Sequence, residues 1–252
     1  MKSIIRRSYR HIHRMILLSG VLGFGSLIAS SCAVSPAGTS GLYTAASENG
    51  PSQTAYVPPA GKGPIVVVLS GATGPRLYDR FSAALAREGY YVVLLDSNEV
   101  RRNAARAENL SRAIARSQNV PNAIAGKVGV IGLSLGGEIA LSRAADMPEL
   151  VAVVVVYYPS TSFVSNGGDL ARRFRVPILM LAAEQDRYHS CCLIETARAI
   201  EGAAKEPQAS FTLVSYQSAE HGFNLAGPAY RAQDDADAWK RTIEALGQYL
   251  RP

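Results

Sequence analysis

The chain has 252 residues, 48% of them apolar, enough for one core of ordinary size and too few for two well-separated enzymatic domains. Its formal charge of +6 hints at a polyanionic partner, but Lys2, Arg6, Arg7, Arg10 and Arg14 all lie in the first 14 residues. Without those five the balance is 21 basic against 20 acidic side chains, and a near-neutral body argues against nucleic acid as a partner.

Residues 1–32 read as a targeting segment. A basic stretch ends at Arg14, and an uncharged run rich in Leu, Ile, Val and Gly follows from Met15 to Ser31. Diluted by serine and glycine, that run is marginal for spanning a bilayer and suits the apolar core of a signal peptide. Ile28-Ala29-Ser30-Ser31-Cys32 is close to a bacterial lipoprotein box, except that Ala29 stands where Leu is usual. On that reading Cys32 is lipidated and tethers the mature chain to a membrane. Cleavage after Ser31 or Ala33 by an ordinary signal peptidase, or retention as an anchor, are the alternatives. Residues 33–41, rich in Ser, Gly and Pro, read as a flexible tether, leaving 42–252 for the folded domain.

Within that domain Leu42–Ala45 and Thr54–Val57 suit a small antiparallel pair. Strand and helix patterns then alternate: strand Ile65–Leu69, helix Leu77–Arg87, strand Tyr91–Leu95, helix Asn103–Ser117, strand Val128–Ile131 and helix Gly137–Ala145. Strands Val151–Tyr157 and Ile178–Leu181, helix Thr196–Ala203, strand Phe211–Tyr216 and a closing helix Ala232–Leu250 complete the series. Strands apolar on both faces and separated by helices belong in a mostly parallel sheet covered on both sides. Reactive groups in such sheets gather beyond the carboxyl ends of the strands.

Gly132-Leu133-Ser134-Leu135-Gly136 follows one strand directly and opens a helix. That context marks Ser134 as a nucleophile on a tight turn, with glycines two residues to either side letting strand and helix approach. A serine hydroxyl needs a base to take its proton. Beyond the leader the histidines are His189 and His221, and His221 lies just after the last strand, where its loop can return across the sheet edge to Ser134. Asp186, just past strand Ile178–Leu181, is the expected partner of that imidazole, with Glu184 as its rival and Asp96 as a structural carboxylate. The order Ser134, Asp186, His221, with gaps of 52 and 35 residues, is that of acyl hydrolases. Oxyanion donors are expected from the backbone N–H of Leu135 and, in the loop Ser70–Gly74, of Ala72, with Thr73 second.

Cys191 and Cys192 are adjacent. Neighbouring cysteines join only in a strained ring, so they are expected as two small, partly buried thiols; a redox switch beside the active site is the sharper alternative. Tyr157, Tyr158 and Phe223 are candidates either for the core or for lining an apolar pocket.

Together these residues resemble the dienelactone hydrolase family of the α/β-hydrolase superfamily. The likeness runs through Tyr56-Val57-Pro58-Pro59, Val130 to Gly137, Glu184-Gln185-Asp186, His221-Gly222-Phe223 and Ala238-Trp239. It implies an α/β-hydrolase fold: an eight-stranded, mostly parallel sheet with helices on both faces, no large lid domain, no metal and no organic cofactor. Three positions depart from the namesakes. They carry Cys where Ser134 stands, an acidic residue absent from Ser70–Gly74, and an Arg where Leu225 lies four positions after His221. These departures favour a serine esterase acting on a small-molecule ester over a dienelactone hydrolase proper. A lactonase, thioesterase or peptidase on the same groups, and a catalytically silent binding protein, are the competing readings.

Overall fold

The computed structural model describes residues 41–47, 50–102, 106–204 and 209–250. The leader expected over 1–32, with its Cys32, lies outside the described residues, as does the tether up to residue 40.

Eight strands form one sheet: β1 (Leu42–Thr44), β2 (Gln53–Tyr56), β3 (Gly63–Leu69), β4 (Tyr91–Leu95), β5 (Ala123–Leu133), β6 (Val151–Tyr157), β7 (Ile178–Ala183) and β8 (Phe211–Tyr216). Their spatial order is β1-β2-β4-β3-β5-β6-β7-β8. Strands β1, β2 and β4 pair antiparallel, with Leu42 opposite Ala55 and Thr54 opposite Leu94, while β4 onward is parallel. The chain steps from β3 to β4 on one side, then crosses back to β5 on the other. Loops leaving the carboxyl ends of β3 and β5 therefore diverge and open a crevice, the topological switch point of such sheets.

Alternation along the strands feeds two cores. Ile65, Val67 and Leu69 of β3 pack with Leu110, Ile114 and Ile139, carried by α3 (Arg106–Gln118) and α4 (Leu135–Ser142). Val66 and Val68 face the opposite side, with Leu85 of α1 (Asp79–Arg87) and with Ala238 and Leu246 of the last helix, Ala232–Tyr249. Burying each such valine or leucine contributes on the order of 1.5–3 kcal/mol, which is why these strands read as unbroken aliphatic runs.

Two short helices carry no sequence period. These are α2 (Ser97–Arg101) and α5 (Gly167–Ala171), each of five residues, less than two turns. They are held by side-chain caps: Asp96 Oδ1 accepts from Asn98 N–H at 2.9 Å, and Asn166 Oδ1 from Gly168 N–H at 2.8 Å. Asp96 is thus the structural carboxylate the sequence suggests. Strand β5 is longer than its apolar segment because its solvent-exposed first half continues the ladder to β3. After α6 (Ile194–Ala203), strand β8 and the closing helix α7 (Ala232–Tyr249) end the fold. Between β6 and β7 the chain makes only the small helix α5, so no lid domain is inserted there.

Candidate active site

Ser134 sits between the last residue of β5 and the first of α4, at φ 53° and ψ −114°. A non-glycine residue in that region is strained by about 1–3 kcal/mol and persists only where its surroundings hold it. They do: Ser134 N–H donates to Tyr157 C=O at 3.1 Å, and its carbonyl accepts from Gly137 and Ser160 N–H, both at 2.9 Å. The close approach of α4 to β3 requires Gly136, where a Cβ would stand 2.1 Å from the Leu69 carbonyl oxygen. The glycine spacing read in the sequence is therefore a packing requirement of the turn.

The structure brings Ser134, His221 and Asp186 together. His221 Nε2 lies 3.0 Å from Ser134 Oγ, and His221 Nδ1 lies 2.7 Å from Asp186 Oδ2. Asp186 is fully buried, and its other oxygen accepts from Tyr188 N–H at 3.0 Å. A carboxylate can only accept, so Nδ1 carries the imidazole proton and Nε2 presents a lone pair to the Ser134 hydroxyl. The loops that carry the acid and the imidazole are laced together: Glu184 N–H and Ala219 N–H both donate to Tyr216 C=O, and Gln185 N–H to Ala219 C=O. Glu184, the rival carboxylate, points elsewhere and accepts from Arg198 at 2.9 Å and from Ser215 Oγ at 2.7 Å.

On the other wall, the Gly71–Ala72 peptide is oriented through its carbonyl, which accepts from Gly74 N–H at 3.1 Å and Ser70 Oγ at 3.2 Å. In a trans peptide this turns Ala72 N–H the opposite way. The Ala72 carbonyl is in turn held by Asn98 Nδ2 at 3.0 Å. Among the described residues neither Ala72 N–H nor Leu135 N–H donates to a protein acceptor. Ala72, Thr73 and Ser134 all line one open cavity of about 1060 Å³.

Tyr188, Tyr78 and Asn224 join this site without a sequence signal. Tyr188 stacks on His221, ring centres 4.4 Å apart and planes at 11°, while Tyr158 meets the same imidazole edge-on at 4.7 Å. His189 takes no part in the triad-like arrangement; it sits at φ 47° with its ring against Tyr188. Tyr78 is buried beneath the Ser70–Gly74 loop. Burial raises its phenol to about 12, although hydrogen bonds from Gly71 and Thr73 work the other way. Tyr158 donates to Asn224 Oδ1 at 2.7 Å, and the buried Asn224 Nδ2 is left without a partner among the described residues. Tyr157 and Phe223 belong to the core, whereas Tyr158 also faces the cavity. Leu77, Phe81, Leu225 and Trp239 give that cavity an apolar wall.

The expectation of two free thiols is overturned: Cys191 and Cys192 are joined by a disulfide. Cys191 lies in the right-handed helical region, at φ −83° and ψ −27°. Successive side chains there diverge by roughly 100° rather than 180° as on a strand, which lets neighbouring sulfurs meet. The turn Tyr188–Ser190, with His189 and Ser190 at positive φ, delivers the pair to this conformation.

Comparisons with known proteins agree with this architecture. The chain is 27% identical over 147 residues to a protein of Methylorubrum extorquens named "Putative carboxymethylenebutenolidase", a match covering 56% of this chain and half of that relative. Among solved structures it is similar to one titled "Putative Dienelactone Hydrolase" from Klebsiella pneumoniae, with TM-score 0.65 and 20% identity over 79% of this chain and 93% of that one. It is also similar to esterase 2 of Thermogutta terrifontis, with TM-score 0.64 and 16% identity over 86% and 98% of the two chains. At those identities the structural likenesses bear on the fold alone. The model of the dienelactone hydrolase family matches residues 53–250, nearly the whole folded domain, and the chain belongs to that family of hydrolases.

Proposed function

We propose that the protein is a serine ester hydrolase that works through an acyl-enzyme on Ser134, with His221 as general base and Asp186 orienting it. One observation carries this reading: the unbroken chain Ser134 Oγ, His221 Nε2, His221 Nδ1, Asp186 Oδ2, with separations of 3.0 and 2.7 Å at the carboxyl edge of the sheet. His221 takes the hydroxyl proton as Ser134 Oγ attacks the ester carbonyl, and the fully buried Asp186 stabilises the imidazolium that forms. The developing oxyanion is met by Leu135 and Ala72 N–H, donors that serve no other group and cost no reorganisation at that moment. As the tetrahedral intermediate collapses, the leaving alkoxide takes the proton from His221. Water, deprotonated by the same imidazole, then releases the acid and restores the hydroxyl.

The wall of Leu77, Phe81, Leu225 and Trp239 suits a substrate with a bulky apolar group beside its ester. The name of the Methylorubrum relative suggests a cyclic ester as a second substrate form for the same groups. Purified protein should release nitrophenol from acyl nitrophenyl esters, and Ser134→Ala should abolish that release. Turnover by Ser134→Ala at the wild-type rate would refute the assignment.

The protein is also proposed to be exported, with 1–32 as its leader and Cys32 lipidated after processing. The basic, apolar and small-residue order of the leader supports this, and a disulfide between Cys191 and Cys192 suits an oxidising compartment. Mass spectrometry of the processed chain decides it. A diacylglyceryl adduct on an N-terminal Cys32 is expected, and a chain that retains Met1 and lacks lipid would refute it.

A further inference from the structure

The bonded pair Cys191–Cys192 lies against the catalytic imidazole. Both Sγ atoms and a ring nitrogen of His221 lie within 4.8 Å of one another. The loop holding them is tied to the nucleophile turn by two steps: Thr161 N–H donates to Cys191 C=O at 2.7 Å, and Ser160 N–H to Ser134 C=O at 2.9 Å. Those bonds are backbone contacts and do not depend on the disulfide. Cys192 is buried, while Cys191 is partly exposed and open to a reductant from solvent.

The geometry points to a masked binding site for a thiophilic divalent ion, zinc or cadmium, formed by Cys191, Cys192 and His221 and uncovered by reduction of the disulfide. Two thiols of a reductant transfer two electrons and two protons, leaving two cysteine thiols here and one disulfide in the reductant. A divalent ion then displaces both thiol protons to solvent and is neutralised by the two thiolates. Tetrahedral zinc, with bonds of about 2.3 Å to sulfur and 2.0–2.1 Å to nitrogen, needs donors roughly 3.5–3.8 Å apart. The present donors lie within 4.8 Å of one another, about an ångström beyond that spacing at most, and reduction frees the two sulfurs to separate to ordinary contact.

The third donor is already prepared. A metal-bound histidine commonly donates its other N–H to a carboxylate, which fixes the tautomer and raises basicity. His221 Nδ1–H donates to Asp186 in that way, which leaves Nε2, 3.0 Å from Ser134 Oγ, as the ring nitrogen with an available lone pair. Nε2 is also the atom that must accept the Ser134 proton, so a bound ion and catalysis exclude each other. The metal site stands on geometry alone; only its inhibitory consequence rests on the proposed catalytic role of His221.

The test uses the processed protein, reduced with a water-soluble phosphine that becomes its oxide with oxygen from water, then desalted under inert gas. Cadmium is titrated while the ultraviolet thiolate-to-cadmium charge-transfer band is followed. The reduced protein should saturate at one ion per chain, and the unreduced protein and Cys191→Ser/Cys192→Ser should show no band. His221→Asn, reduced, should bind at least about tenfold more weakly. Turnover of the reduced protein should fall at least tenfold with one equivalent of cadmium and return with a chelator, while the double variant does not respond to the ion. No band in the reduced wild type, or an equal band in the double variant, overturns the site. One-to-one binding with undiminished turnover overturns the part assigned to His221. An active Ser134→Ala would refute the catalytic proposal while leaving the absorbance result standing.

Discussion

Replacing Asp186 by Asn changes one atom at the most constrained position of the site. Both carboxylate oxygens have a donor facing them, His221 Nδ1 at 2.7 Å and Tyr188 N–H at 3.0 Å, and neither is exposed to water. An amide offers one acceptor and one donor. If its oxygen stays on His221, its NH2 confronts Tyr188 N–H, leaving a buried donor pair unsatisfied at about 1–3 kcal/mol. If the NH2 turns to His221 instead, the imidazole must shift its proton to Nε2, and it can no longer accept from Ser134. The second arrangement satisfies both amide groups and should prevail, with kcat falling roughly 10⁴-fold, as in serine proteases given the same change. That corresponds to about 5.5 kcal/mol of transition-state stabilisation. Steady-state hydrolysis of a nitrophenyl ester measures it, with circular dichroism to show that the variant is folded. Glu184→Gln, whose partners are Arg198 and Ser215, should stay within about twofold of wild type. A folded Asp186→Asn retaining more than a tenth of wild-type kcat, or a Glu184→Gln that loses more than tenfold, would refute the reasoning.

Other perturbations probe the walls of the cavity. In Gly71→Ala the new Cβ would fall 2.2 Å from the buried Tyr78 hydroxyl and 3.5 Å from Ser134 Cβ, displacing the loop that carries Ala72 N–H. We expect kcat to drop about 10²–10³-fold with KM little changed, and Tyr78→Phe in the same chain to recover part of the loss; no recovery would mean the clash is not the cause. Trp239→Ala removes apolar wall, so kcat/KM for bulky acyl esters should fall at least tenfold more than for acetate esters, and a uniform loss would argue against a substrate-binding role. Asp235, half-buried at the cavity edge, has its carboxyl raised by burial, partly opposed by a hydrogen bond from Tyr230. A raised folded value favours folding at acid pH and loses that contribution as pH rises through it. Asp235→Asn should therefore be the more stable protein at neutral pH by a fraction of a kcal/mol after solvent screening, with the advantage vanishing on acidification. Thermal melts across that range check it, and a variant less stable at neutral pH contradicts it.

The parts of the site legible in the sequence each follow a strand. Ser134 closes β5 and Asp186 follows β7, whose aliphatic runs are easily located because burial on both faces leaves no polar position, while His221 follows the half-buried edge strand β8. The parallel strands were legible for the same reason, and the exposed β1 was legible only through the polar segment that separates it from β2. Missed features depend on contacts between loops, which have no period. Tyr188 reaches His221 only because the turn Tyr188–Ser190 takes two left-handed residues, and neither His189 nor Ser190 advertises that conformation as glycine would. The same turn precedes the bonded sulfurs, and adjacency in the sequence does not reveal it. Tyr78 and Asn224 enter the site through tertiary packing of the short 3₁₀ turn Pro75–Tyr78 and of a loop, neither of which carries a motif.

The central claim is that one hydroxyl, on the strained turn between β5 and α4, is the nucleophile. A fluorophosphonate probe reacts with serines activated by a neighbouring base, and mass spectrometry of the digested adduct locates it. The account predicts a single stoichiometric phosphonyl group on Ser134, with loss of esterase activity in step with labelling. An active enzyme that remains unlabelled, or carries the group on another residue, would contradict it.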